Sequence, residues 1–264
     1  MSETLKVLIL AVVQGLTEFL PVSSSGHLAL AQCVLKVRDP GPTLELMLHV
    51  GTLLPICFFY RRRLAELIAS FFRGRRAGWL YAGWVLLSML PAGVVYLFAK
   101  DPVERLYDVP RAVAWLLVLN GFLLLFSAVA DRFRRAGGGL SWARALVMGV
   151  GQALAVLPGV SRSGTSITAG RLCGVAPEAA AEFSFVMSVP VIAGAALLEF
   201  VSGLRDGASA ALPVPAETAL AATAAAALVG YVALRLVVRV VRSGRFWVFG
   251  PYCLALGAAA LALL

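Results

Sequence analysis

Charge is scarce in this chain. Of 264 residues only 14% are Asp, Glu, Lys or Arg, against 60% hydrophobic, and the mean hydropathy is +0.88. A soluble domain carries about 25% charged residues to cover its surface, so a water-soluble globular fold is excluded and an integral membrane protein expected. Cysteine is equally uninformative for chemistry: Cys33, Cys57, Cys173 and Cys253 lie far apart, each in an apolar run. No pair has metal-ligand or redox spacing, and all four read as small core residues. No small-residue cleavage site follows Met1, so the first apolar stretch is expected to remain part of the protein. Acidic residues are the minority sign, with 14 Asp and Glu against 23 Lys and Arg. The arginines cluster in short loops between apolar runs, which is a topology signal and gives no reason to invoke nucleic acid as a partner.

What is present is a set of apolar segments of two lengths. Residues 5–20 and 26–37 are apolar but short, and Pro21-Val22-Ser23-Ser24-Ser25-Gly26 breaks them apart. Neither reaches the roughly 20 residues needed to cross about 30 Å of hydrocarbon, so the pair reads as a re-entrant helical hairpin. Spans are expected at 44–60, 79–99 and 111–130. A basic loop at 61–78 and a mixed-charge loop at 100–110 join them. After Arg132, Arg134 and Arg135 comes Gly137-Gly138-Gly139, read as flexible. A second short pair follows at 142–157 and 164–175, then spans at 183–201, 216–237 and 247–264, with Arg235, Arg239, Arg242 and Arg245 around the last connection.

The second half repeats the first. Sliding the chain so that Gln14 falls on Gln152 also places Leu16 on Leu154, Val22 on Val160, Ser23 on Ser161, Ser25 on Ser163 and Gly26 on Gly164. Ser24 then meets Arg162, and His27 meets Thr165. The expected fold is therefore an all-α polytopic membrane protein forming one membrane domain over 1–264, with repeats at about 1–135 and 136–264. Each repeat holds one re-entrant hairpin and three transmembrane helices. Three crossings per repeat make the second copy inverted. The arginine distribution then puts 61–78, 131–141 and Arg235–Arg245 on the cytoplasmic side and both termini outside. The hairpins enter from opposite faces and their tips meet near the midplane.

The tips carry side chains that packing alone does not ask for. An Arg near the centre of a bilayer costs about 2.5–3.5 kcal/mol on insertion scales, which marks Arg162 as functional. Around it stand Gly159, Ser161, Ser163, Gly164 and Thr165, hydroxyls and backbone N–H groups suited to cradling an anion. The first tip offers Glu18, Ser23, Ser24, Ser25, Gly26 and His27, with Gln14 one turn before Glu18 on the same helix face. A carboxylate, an imidazole, a guanidinium and several hydroxyls in one buried place suffice for phosphoryl transfer. A structural Glu18–Arg162 ion pair is the competing reading. His49 is read as a structural hydrogen-bonding residue and Glu45 is left open. Glu182 and Ser184 are read as supports of the second hairpin, and Glu199 as interfacial.

Gln14-Gly15-Leu16-Thr17-Glu18-Phe19-Leu20-Pro21-Val22-Ser23-Ser24-Ser25-Gly26-His27 and Pro158-Gly159-Val160-Ser161-Arg162-Ser163-Gly164-Thr165 resemble the two signatures of the undecaprenyl-diphosphate phosphatase family, also called bacitracin-resistance proteins. The likeness extends to Leu48-His49-Val50-Gly51-Thr52-Leu53-Leu54 and Glu182-Phe183-Ser184-Phe185. The resemblance implies hydrolysis of the lipid carrier's diphosphate to monophosphate and phosphate, at a site reached from the outer face of the bacterial inner membrane, with a divalent cation, Mg²⁺ or Ca²⁺. It gives Glu18 and Gln14 a role in holding metal or positioning the nucleophile, Ser24 that of nucleophile, and His27 that of its neighbour in proton transfer. Arg162 would grip the diphosphate with Ser161, Ser163, Thr165 and nearby backbone N–H groups. Two positions depart from the family pattern: Gln14 replaces the commoner Glu, and Arg144 stands where an Asp is expected. Besides the polyprenyl diphosphate and membrane lipids, a homodimer is compatible with this architecture.

Two rival classes are weighed. The acid-phosphatase-like lipid phosphatases need a His several residues after the Arg, and position 168 is Thr, which excludes them. An inverted-repeat transporter or flippase of a polyprenyl phosphate or other anion would use Arg162 as a binding site without needing Ser24 or His27.

Overall fold

The structure, a computed structural model, describes residues 1–37, 41–132, 138–205 and 214–264, and not the side chains of 38–43, 45, 130–137 and 198–213. Glu45 and Glu199 therefore lie outside the described side chains, and so does the arginine loop after residue 130. The described chain is helical. Its one piece of extended pairing is the bridge between Gly138 and Val175, which fixes Gly138 against the second hairpin through Gly138 N–H to Gly174 O at 3.0 Å.

Helices α1 (Glu3–Phe19) and α2 (Ser24–Leu35) form the first hairpin, and α7 (Trp142–Leu154) and α8 (Arg162–Leu172) the second. Between and after them run α3 (Gly41–Phe59), α4 (Arg61–Phe72), α5 (Arg76–Tyr107), α6 (Pro110–Arg132), α9 (Pro177–Arg205), α10 (Ala216–Arg242) and α11 (Phe249–Leu263), the last preceded by a 3₁₀ turn, Phe246–Val248. Five helical stretches are long and apolar enough to cross a bilayer: Arg76–Tyr107, Pro110–Val129, Pro177–Leu197, Ala216–Arg242 and Phe246–Leu263. The protein is a multi-pass membrane protein. The span expected at 44–60 is helical, but its apolar part, Leu46–Phe59, is shorter than the others.

Two segments read as loops are helical. Arg61–Phe72 forms α4, whose Leu64, Leu67, Ile68 and Phe71 recur at the spacing of one helix face. None of its described residues is buried, so it lies along the protein's flank. Likewise 100–107 continues α5 beyond a kink at Ala99 (φ −131°, ψ 17°). Pro102 accounts for the kink, because it has no N–H for the carbonyl one turn earlier.

Each hairpin has one arm packed along a long helix. α1 packs along α10, α7 along α5, and α6 along α11. Small residues allow these close approaches. A Cβ on Gly15 would meet Ala226 O at 2.6 Å, and one on Gly149 would meet Ser88 O at 2.4 Å. The larger buried cluster, including Phe19, Ile56, Met148, Ile167, Phe183 and Phe185, surrounds the place where the two hairpins come together. Phe19 and Phe185 meet edge to face at 5.9 Å. Large apolar side chains such as Phe98 and Leu228 point outward, as a surface facing lipid requires.

Candidate active site

The site is built from two helix starts. Pro21 stops α1, and Ser23 caps α2 by accepting the Gly26 N–H at 3.2 Å; its hydroxyl also contacts Ser25 Oγ at 3.2 Å. In the second hairpin Ser161 caps α8 by accepting the Gly164 N–H at 3.1 Å, and it contacts Ser163 Oγ at 3.2 Å. The tips touch each other directly. A Cβ on Gly26 would lie 3.0 Å from Gly159 Cα, and one on Gly164 would lie 3.3 Å from Pro21 Cβ. Ser163 Oγ adds a hydrogen bond across the contact to Phe19 O, at 3.2 Å.

At the meeting point lies Glu18, its side chain 5% exposed. Its Oε1 accepts from Arg162 Nη2 at 2.5 Å, and its Oε2 accepts from Ser24 Oγ at 2.8 Å and from Gln14 Nε2 at 3.0 Å. His49 Nε2 lies 3.7 Å from Glu18 Oε2. Such a carboxylate is tolerable in apolar surroundings only because each oxygen is met by a donor. Arg162 Nη1 is buried without a hydrogen-bond partner, and so are Gln14 Oε1 and both polar atoms of the Gln152 amide. Buried donors and acceptors left this way are costly and point to a ligand's polar groups.

A cavity of about 240 Å³ opens over this cluster. Of the side chains expected to form the site, Glu18, Ser23, Ser24, Ser25, Ser161 and Arg162 line it. Gln14 stands behind Glu18, while Thr165 turns its hydroxyl back onto Ser161 O at 2.9 Å. Gly26, Gly159, Ser163 and Gly164 make the tip-to-tip contact. Gly159 has φ +102°, a conformation open to glycine, and a Cβ there would strike Val113 O at 2.7 Å.

The imidazoles are placed otherwise than expected. His27 does not line the cavity: its Nδ1 lies 2.8 Å from Ser23 O and its Nε2 2.8 Å from Tyr252 Oη, with the rings stacked at 5.7 Å. His49 does line it, beside Glu18. Thr17, Tyr107 and Gln152 join the wall as well. Glu182 pairs with Arg63 of α4 at 2.8 Å, so it braces that flanking helix; Ser184 does support the second hairpin, through Ser166 Oγ at 2.7 Å. Arg144 folds onto Gly139 O at the loop edge.

Sequence reasoning passed over Asn120. It is fully buried in α6 and holds both tips at once, donating to Pro21 O at 3.0 Å and accepting the Ser161 N–H at 2.9 Å. The signal was a single amide inside the apolar run 111–130. Among the described residues no group of three or more His, Cys, Asp or Glu side chains gathers, so a cation here would rest on few protein ligands.

The family model for bacitracin resistance protein BacA matches residues 7–259. An undecaprenyl-diphosphatase of Rubrobacter xylanophilus is 38% identical over 276 residues, covering 100% of this chain and 99% of the relative. One of Salinibacter ruber is 36% identical over 273 residues (98% and 98%), and one of Halothermothrix orenii 35% over 255 residues (97% and 96%). With a match over nearly its whole length and the two tip motifs assembled around one cavity, the chain belongs to the bacitracin resistance protein BacA family.

Proposed function

We propose that this chain is an undecaprenyl-diphosphatase. It hydrolyses undecaprenyl diphosphate to undecaprenyl monophosphate and phosphate, which recycles the lipid carrier for cell-wall glycan synthesis and confers bacitracin resistance. The observation that carries the reading is the convergence of Ser24 Oγ and Arg162 Nη2 on the two oxygens of Glu18 at a cavity wall. A binding site for an anion needs the guanidinium; it has no use for a hydroxyl hydrogen-bonded to a buried carboxylate.

In the proposed reaction the diphosphate sits between the tips, with Arg162 Nη1 and the Ser161 and Ser25 hydroxyls toward its oxygens. Ser24 Oγ attacks the terminal phosphorus as its proton passes to Glu18 Oε2. The bond to the bridging oxygen breaks, and undecaprenyl monophosphate leaves with the electron pair. Water then attacks the phosphoserine phosphorus, the Ser24–phosphorus bond breaks, and Ser24 recovers a proton from Glu18. His49 stands beside Glu18 to take the proton from that water. His27 acts one step back, holding Ser23 O and so the direction in which Ser24 points. Arg162 offsets charge on the phosphoryl oxygens throughout.

Glu18 and Gln14 would hold a divalent cation, Mg²⁺ or Ca²⁺. Gln14 Oε1 is a buried acceptor without a partner next to the carboxylate, and Mg²⁺ sites commonly combine one or two carboxylates with substrate phosphates. Bound there, the cation would supply further neutralisation of the phosphoryl oxygens.

The same proposal includes the inverted repeat. The tip contact is reciprocal: Gly26 meets Gly159 while their repeat partners, Gly164 and Pro21, meet each other, as a two-fold axis demands. The packing of α1 on α10 and of α7 on α5 supports the same axis. In this reading the arginines of 61–76 and 235–245 lie on the cytoplasmic side of the bacterial inner membrane, as the excess of positive charge there supports, and the cavity is reached from the periplasmic face.

The test is phosphate release from undecaprenyl diphosphate by the purified protein with Mg²⁺. Wild type should turn over, while Ser24→Ala and Arg162→Ala remain folded and inactive. Lipid binding by wild type without phosphate release would instead establish the transporter reading.

A further inference from the structure

Two further cavities lie where α4 folds back on α5 and α9. One, of about 520 Å³, is polar at its rim, with Arg63, Glu66, Ser70 and Arg75 around it. The other, of about 440 Å³, is walled by Ile68, Phe71, Val85, Leu86, Val189 and Pro190. Leu67, Gly78 and Tyr81 line both, so the two cavities are immediate neighbours. Each falls in the size range of ligand sites, about 300–1,000 Å³. No residue of either lines the catalytic cavity.

Three observations converge on the boundary. Tyr81 is 9% exposed, and its buried hydroxyl has no hydrogen-bond partner. The Arg63 guanidinium stands 5.6 Å over the Tyr81 ring, held by Glu182 on one side and facing Glu66 at 3.7 Å on the other. From 61 to 76 the chain has six arginines against one acid, Glu66. With Arg63 already paired, Arg75 is the rim cation left for a ligand. Of the six only Arg63 and Arg75 reach the polar chamber, and that chamber, with Arg75 at its rim, beside an apolar chamber and a buried unpaired donor, has the shape of a phosphate headgroup and its chain.

We propose that this groove binds one anionic glycerophospholipid of the surrounding bilayer. Its phosphate lies against Arg75 and the Tyr81 hydroxyl, and an acyl chain fills the space between α4, α5 and α9. The lipid would fasten α4, which buries no residue of its own, to the body of the protein. The proposal rests on membrane insertion and not on the phosphatase reading, so either can fail alone.

Native mass spectrometry of the full-length protein released from detergent tests it, with phosphatidylglycerol and the diacylglycerol of identical chains, which lacks the phosphate, offered at equal concentration. Wild type should retain a single phosphatidylglycerol with about tenfold preference, the effect of one charge-assisted contact. Tyr81→Phe and Arg75→Gln should each lower that preference about threefold or more, whereas Arg239→Gln, outside the groove, should leave it unchanged. Equal retention of both lipids by wild type would overturn the proposal. So would a preference that survives Tyr81→Phe and Arg75→Gln, or one that Arg239→Gln lowers as much.

Discussion

The two hairpin tips have the same frame and carry different side chains on it. Each has a serine cap, a second serine two residues on and a glycine three residues on, and each repeats the same hydrogen bonds within about 0.1 Å. They differ in where the backbone is bent against its preference. In the second tip the positive φ falls on Gly159, at +102°, two residues before a relaxed Ser161 at −88°. In the first tip the repeat-equivalent residue is Pro21, which cannot adopt that angle, and the positive φ falls instead on Ser23 itself, at +71°. Strain in a non-glycine residue persists only where its surroundings over-determine it. Here they do: His27, Gly26 and Ser25 all bond to Ser23. The strained tip carries the proposed nucleophile, and the relaxed tip carries the cation.

The most severe way to break the comparison is to make the tips alike. Arg162→Ser gives the second tip the first tip's residue, and phosphate release should fall about 10³-fold, as when one transition-state donor is removed. Ser24→Arg, the reverse exchange, should set two guanidiniums on one carboxylate and abolish turnover. Next comes the tie between the tips. Asn120→Leu leaves Pro21 O and the Ser161 N–H buried without partners and should cost about 2–4 kcal/mol in thermal or denaturant unfolding. Asn120→Asp keeps an acceptor for Ser161 but sets a buried carboxylate against Pro21 O, so a loss at least as large is expected. Gln14→Glu adds a carboxylate beside Glu18; the Mg²⁺ concentration giving half-maximal activity should drop about tenfold, and no change would remove Gln14 from the cation site. The finest probe is the cap. Ser161→Gly loses a hydrogen bond with no strain to relieve, while Ser23→Gly trades the same bond for a relaxed φ. The first should lower stability by about 1 kcal/mol more than the second, read as a difference in melting temperature.

How much of this was legible in the sequence follows from how local each signal is. Pro21, Ser23 and Gly26, and Gly159, Ser161 and Gly164, are punctuation that acts within a few residues, so both breaks and their caps can be read directly. The convergence of Glu18 and Arg162 is also legible, because two broken helices carrying charge have few places to go in a bilayer. The histidines show the limit. His27 follows three serines and His49 stands three residues before Thr52, and which one faces the cavity depends on Tyr252, 225 residues from His27, stacking on its ring. Asn120 was visible as a lone amide, but its partners lie 99 and 41 residues away. Helix α4 was legible in principle: three consecutive arginines drew attention to topology and away from Leu64, Leu67, Ile68 and Phe71.

The ion pair at the centre of the site also sets an order of events during synthesis. Glu18 and Arg162 are 144 residues apart. At translation rates of about 5–20 residues per second, Glu18 is made roughly 7–30 s before its cation. Through that interval Gln14, Ser24 and His49, all from the first half, are the groups on hand to accompany the carboxylate. The hydrogen bonds proposed to serve chemistry in the finished protein thus first serve as escorts for a nascent hairpin.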